Sequence, residues 1–132
     1  MMIFIVEDSA AVRERLVELI MDFGGMQVCG EAANYHDAVA GILEKKPDVA
    51  ILDIKLADDE GSGIDVLAEV KRHLPGLRAI MLSNYGSPQH VKASAEAGAA
   101  YFLDKSTEFD QIVDILHAME SHSETPPLHR FA

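Results

Sequence analysis

The feature that most narrows what this chain can fold into is an alternation. Five short apolar runs, Met2 to Val6, Met26 to Cys29, Val49 to Leu52, Leu77 to Leu82 and Ala99 to Leu103, are each followed by a longer stretch with helical periodicity. Val12, Leu16, Leu19, Ile20 and Phe23 share one face, and Phe109, Ile112, Val113, Leu116 and Met119 repeat the pattern near the end. Near-continuous apolar strands alternating with helices predict a parallel sheet covered on both faces, because right-handed crossovers place the helices there. The punctuation agrees. Gly24-Gly25 ends the first helix, Asn34 caps the second and Pro47 follows it, Pro75-Gly76 closes the third, and Ser87-Pro88 and Gly98 bracket the fourth. One domain, residues 1–121, is expected, with residues 122–132 as a patternless, poorly ordered tail.

Charge and cysteine content remove several functions. The 22 acidic against 11 basic residues give a formal net charge of -11, which repels a polyanionic backbone, so no direct nucleic-acid contact is expected. Cys29 is the single cysteine; no internal disulfide can form, and its apolar surroundings suit a small buried hydrophobe. No apolar run approaches the roughly 18 residues that span a bilayer, and the start has no signal-peptide pattern, so a cytoplasmic protein without membrane contact is expected.

In an open parallel sheet, ligands bind beyond the carboxyl ends of the strands. The residues that terminate the apolar runs therefore carry the information. The first run ends in Glu7-Asp8, the third in Asp53, the fourth in Ser83, and the fifth leads through Asp104 to Lys105. Three carboxylates about 4 Å apart repel by ~1 kcal/mol per pair in water and ~4 kcal/mol at an effective dielectric of 20, so a cation must sit among them. Hard carboxylate oxygens without histidine or cysteine suit Mg²⁺, and Lys105 supplies a second positive charge fit for a phosphoryl group.

With an acidic pair, an aspartate, a serine and a lysine in that order on those elements, the chain resembles the receiver domain of two-component response regulators. The likeness covers about Met2 to His117, and "DIKLADDEGSGIDVL" and "AGAAYFLDK" carry it further. It implies a flavodoxin-like (βα)5 three-layer α/β sandwich with strand order 2-1-3-4-5. It also implies that Asp53 is a phosphoacceptor for a sensor histidine kinase or phosphotransfer protein. Mg²⁺ would be held by Asp8, Asp53 and the backbone carbonyl of Lys55, with Glu7 acting mainly through bound water. Ser83 and Phe102 would form the switch. An altered face of the fourth helix, fifth strand and fifth helix would reach an unknown protein target or a second copy of the chain. Signal would leave by non-covalent contact, from a stand-alone regulator or a receiver within a longer protein. Such a module is not a turnover enzyme; it only phosphorylates and dephosphorylates itself.

Several positions depart from the family pattern. Phe102 replaces a frequent tyrosine, Ala57 stands where proline is usual, and Ser106 stands where a cis proline is common, so a trans bond is expected there. The "DDEG" loop is slightly longer than usual. Lys55 and Tyr85 occupy places that flank the attacking water and are expected to slow loss of the phosphoryl group. Ala10 and Ala11 are candidate kinase contacts. Two alternatives use the same residues: a Mg²⁺-dependent phosphatase with an aspartyl nucleophile, which would want an acid where Lys55 stands, and a pseudo-receiver that binds without phosphorylation. The six histidines show no ligand spacing, and Gly61 to Gly63 reads as a helix-opening turn rather than a dinucleotide loop.

Overall fold

The computed structural model describes residues 1–22, 24–57, 60–84 and 87–121. Phe23, Tyr85, part of the "DDEG" loop and the tail 122–132 with His122 and His129 lie outside these, so the expectations placed on them stay as expectations. Five strands, β1 (Met2–Val6), β2 (Gln27–Ala32), β3 (Val49–Asp53), β4 (Arg78–Ser83) and β5 (Tyr101–Asp104), alternate with α1 (Ala10–Met21), α2 (Tyr35–Lys45), α3 (Gly63–His73), α4 (Pro88–Glu96) and α5 (Ile112–Ser121). All pairings are parallel and the order is β2-β1-β3-β4-β5, as the alternation and the resemblance predict.

Helix starts follow the capping chemistry. Ser9, Asn34, Ser62 and Ser87 each accept a hydrogen bond from a backbone N–H of the first turn, and Pro88 follows Ser87 at the first helical position. Ser62 and Asp65 form a reciprocal capping box, so the Gly61 to Gly63 segment is indeed a helix opening. The fifth helix differs from its expected form: Phe109–Gln111 is a 3₁₀ turn that leads into α5.

The sheet divides the interior into two apolar layers. Phe4, Val6, Ala50, Leu52, Met81 and Phe102 point to the side of α2 and α3, where Ile42, Val66, Leu67 and Val70 meet them. Ile3, Ile5, Ile51, Ile80, Leu82, Tyr101 and Leu103 point to the other side, against Leu16 and Ile20 of α1 and Ile112, Leu116 and Met119 of α5. This is the period-two alternation of a strand buried on both faces. Helix α4 is the exception among the helices described, because Ser94 is its one fully buried residue and the Ser94 hydroxyl has no hydrogen-bond partner.

Two expectations need correction. β2 runs from Gln27 to Ala32, beyond the apolar run at Met26 to Cys29, and it pairs with β1 alone at the sheet edge. Cys29 is consequently half-buried rather than fully buried, although burial still pushes its thiol above the ordinary value. β5 begins at Tyr101 rather than Ala99, because the Ala99 N–H turns back to the Ser94 carbonyl at 3.0 Å.

The register brings four strand ends level: Val6 lies beside Leu52, Asp53 beside Leu82, and Ser83 beside Asp104. Gly63 locks the end of β3 to the helix that follows it. Its N–H donates to the Ile54 carbonyl at 2.8 Å, and a Cβ added at Gly63 would lie 1.9 Å from the Asp53 carbonyl oxygen. Gly63→Ala should therefore destabilise the protein by roughly 2–3 kcal/mol in urea unfolding, toward the upper end of overpacking effects. A loss well below ~0.5 kcal/mol would show that α3 can shift away from β3 freely.

Candidate functional site

The strand ends gather the residues singled out by the sequence. Glu7 follows β1 directly, its N–H bonded to the Ala32 carbonyl of β2 at 2.9 Å, and it is buried at 1% exposure. Asp8 is exposed beside it, and its N–H donates to the Glu7 carboxylate at 3.1 Å. Asp53 at the end of β3 and Ser83 at the end of β4 are both buried. Lys105 lies just past β5, and its own N–H donates to the Ser83 carbonyl at 3.0 Å. Its ammonium reaches Glu7 Oε1 at 2.5 Å and Asp53 Oδ2 at 3.0 Å. Residues up to 98 apart in sequence thus share one cluster.

The electrostatics are those of a dry acid pair with one internal counter-charge. Burial, and then the Asp53 carboxylate beside it, push the Glu7 carboxyl from an ordinary 4.5 up to about 8, in spite of Lys105. Burial works against the Lys105 ammonium too, but its hydrogen bonds to Glu7 and Asp53 prevail and hold its pKa above the ordinary value. The neighbouring Asp104 carboxyl is held below its usual range by the Ser106 hydroxyl and N–H, which both donate to it.

Carboxylate oxygens of Glu7, Asp8 and Asp53 lie within 4.8 Å of one another. That donor set is all hard oxygen, partly exposed through Asp8, and fits a small divalent cation such as Mg²⁺. Over it opens a cleft of about 500 Å³, lined by Asp8, Asp53, Lys55, Ser83 and Lys105 together with Ser9, Val12, Arg15, Asn84 and Phe109.

Phe102 lies apart from this cleft, 6% exposed in the apolar layer on the α2 and α3 side. No peptide bond among the described residues is cis, so the Lys105–Ser106 bond is trans as expected. His36, His73 and His117 are exposed and His90 is half-buried.

Some contributors escaped the sequence reading. Arg13 donates to the Glu7 carbonyl at 2.7 Å and pairs with Glu31 at 3.4 Å, tying α1 and β2 to the acidic turn. Arg15 lies over the Phe109 ring at 4.7 Å and pairs with Asp110 at 3.5 Å. The available signal was weak: a helical i, i+4 relation from Ser9 to Arg13, with nothing to indicate which strand the arginine would meet.

Comparison with known proteins decides the family. Residues 3–117 match the model of the response regulator receiver domain. The chain belongs to this family. Among relatives of this receiver, the chemotaxis protein CheY of Thermotoga maritima is 33% identical over 115 residues, covering 87% of this chain and 93% of CheY. The DNA-binding transcriptional activator DevR/DosR of Mycobacterium tuberculosis is 34% identical over 103 residues, covering 78% of this chain but 46% of its own. The receiver spans about half the length of that activator and of the regulators YxjL of Bacillus subtilis and VraR of Staphylococcus aureus. Among solved structures, the receiver domain of NarL from Mycobacterium tuberculosis has a TM-score of 0.82 at 28% identity, covering 91% of this chain and 95% of that one. The response regulator domain of Thermotoga maritima CheB has 0.79 at 27%, covering 96% and 98%.

The raised Glu7 value has a consequence for stability. Between about pH 4.5 and about pH 8 the folded, metal-free receiver keeps the Glu7 proton while the unfolded chain releases it, so this group's contribution is lost as the pH rises through that window. In EDTA, Glu7→Gln should melt near the wild type at pH 5 but above it at pH 8, by about 4 °C or more, the shift that ~1 kcal/mol gives in a domain of this size. Equal melting temperatures at pH 8 would show that Glu7 is not held protonated.

Proposed function

We propose that this receiver takes a phosphoryl group onto Asp53 from a sensor histidine kinase or phosphotransfer protein in the cytoplasm, and that the modified state changes its grip on a protein partner. The observation that carries the reading is the placement of Asp53: buried at a strand end, 3.0 Å from the Lys105 ammonium, with Glu7 and Asp8 oxygens alongside. Family membership supports it, since phosphorylation and Mg²⁺ are typical of receivers.

In this reading Asp53 Oδ attacks phosphorus as the P–N bond of phosphohistidine, or the P–O bond of acetyl phosphate, breaks. The leaving imidazole or acetate departs with the bonding pair. Asp8, Asp53 and the Lys55 carbonyl would hold Mg²⁺, with Glu7 behind them, and the ion would supply charge neutralisation at the phosphoryl oxygens. Lys105 already stands against Asp53 and would transfer one of its contacts to the incoming phosphoryl oxygens. Ser83, at the neighbouring strand end, would donate its hydroxyl to another. Positioning and charge carry the reaction, and no side chain needs to shuttle a proton to Asp53. The product gains about one unit of negative charge and three acceptor oxygens.

The switch is assigned to Ser83 and Phe102, and the output face to α4, β5 and α5, where a protein target or a second copy of the chain would bind. Exposed Ala10 and Ala11 at the start of α1 lie next to the cleft wall and are offered as kinase contacts. Lys55 lines the cleft and, with Tyr85, would shield the acyl phosphate from water.

Mass spectrometry after incubation with Mg²⁺ and acetyl phosphate should show one added phosphoryl group on the wild type and none on Asp53→Asn. An unmodified wild type that also fails to bind beryllofluoride would point to a binding module that works without phosphorylation. In the same preparation Lys55→Ala should shorten the half-life of the phosphorylated protein by roughly 3-fold, a barrier change under ~1 kcal/mol; an unchanged half-life removes Lys55 from the shielding role.

A further inference from the structure

The segment that follows Asp53 is fastened at three places. On the α3 side the Ile54 carbonyl accepts the Gly63 N–H at 2.8 Å. On the α2 side the Ala57 N–H donates to the Ala33 carbonyl at 3.0 Å. Glu60 and Gly61 also meet the start of α2. A Cβ added at Gly61 would lie 2.6 Å from Tyr35 Cδ2 and 3.1 Å from Cε2 and Cγ, so the Tyr35 ring rests directly on the Gly61 backbone. Tyr35 is itself half-buried against the apolar layer of α2 and α3, and the His36 ring meets it edge-on at 5.9 Å. His36 also pairs with Glu60, a largely exposed contact that adds little.

We infer that Tyr35 is a positioning residue: with the Ala57–Ala33 hydrogen bond, it latches the segment after Asp53 to the start of α2 and fixes the backbone at Lys55 for the divalent cation. The inference rests on the reading of Asp53 as phosphoacceptor and of the Lys55 carbonyl as a cation ligand. Ala57 supplies the N–H that one half of this latch requires. A proline there would stiffen the segment by itself but has no N–H and could not bond to Ala33. Residues 54–57 have the alternation such a strap requires, with Ile54 and Leu56 buried and Lys55 facing the cleft.

The test uses the full chain and reads Mg²⁺ affinity by calorimetry, beryllofluoride uptake by fluorine NMR and melting temperature. Tyr35→Ala should weaken Mg²⁺ binding roughly 10-fold, the lower end of the losses seen when groups that orient metal ligands are removed. Tyr35→Phe should stay within about twofold of wild type, because the ring rather than the hydroxyl meets Gly61. Gly61→Ala should also weaken binding, since its methyl group displaces the ring. The Tyr35→Ala/Gly61→Ala double variant should match Tyr35→Ala alone, as residues acting through one contact are not additive. Should Tyr35→Ala fold poorly, the comparison of Gly61→Ala with wild type decides the matter. Wild-type Mg²⁺ affinity in Tyr35→Ala or Gly61→Ala, or additive losses in the double variant, overturns the latch alone. A wild type that binds neither Mg²⁺ nor beryllofluoride overturns the phosphoacceptor reading, and the latch as a positioning device falls with it.

Discussion

One ammonium placed between two buried carboxylates holds the working end of this molecule together. Glu7 and Asp53 are almost sealed from water, and without Lys105 at 2.5 and 3.0 Å two neighbouring acids would stand at the end of the sheet with no counter-charge. Removing the Lys105 ammonium would leave buried acid uncompensated, a loss that typically costs 3–5 kcal/mol. The sheet order makes the unit possible. β1 and β3 are neighbours, β4 separates β3 from β5, and the Lys105 N–H is tied to the last residue of β4. The lysine therefore reaches across β4 from a fixed anchor.

Charge distribution sharpens the picture. The chain carries twice as many acids as bases, yet Arg15, Lys55 and Lys105 all line the cleft, and Arg13 braces the turn behind it. These bases stand beside the Asp8 and Asp53 carboxylates, so charges of both signs face the opening.

The parallel sheet and the gathering of polar strand-end residues were legible in the sequence because polar residues interrupted apolar runs at defined places, whereas the strand order followed from the family resemblance. Glu7, Asp53, Ser83 and Lys105 each follow a stretch of residues suited to burial, and the alternation fixes which end of the strands they occupy. β2 was read too short because an edge strand has one side open, and half-exposure lets Gly30 and Glu31 extend a strand beyond its apolar residues. The 3₁₀ turn at Phe109 shares its apolar spacing with the helix it precedes, so periodicity alone merges the two. Tyr35 and Gly61 were invisible for another reason. Their contact joins the first residue of α2 to the loop before α3, 26 positions away, and spacing along the chain does not indicate that pairing.

The partition of the interior by the sheet gives adjacent residues opposite loyalties. Tyr101 is sealed among the side chains of α1 and α5, while Phe102 belongs to the layer shared with Met81 and, at its margin, Val91 of α4. α4 is anchored through a single fully buried serine whose hydroxyl is left unbonded. Among the described helices α4 thus offers the fewest buried side chains beside the Phe102 layer, and the sheet separates that layer from the one that holds Tyr101. The two faces of the sheet are therefore covered unequally, and the thinner cover lies next to the last strand.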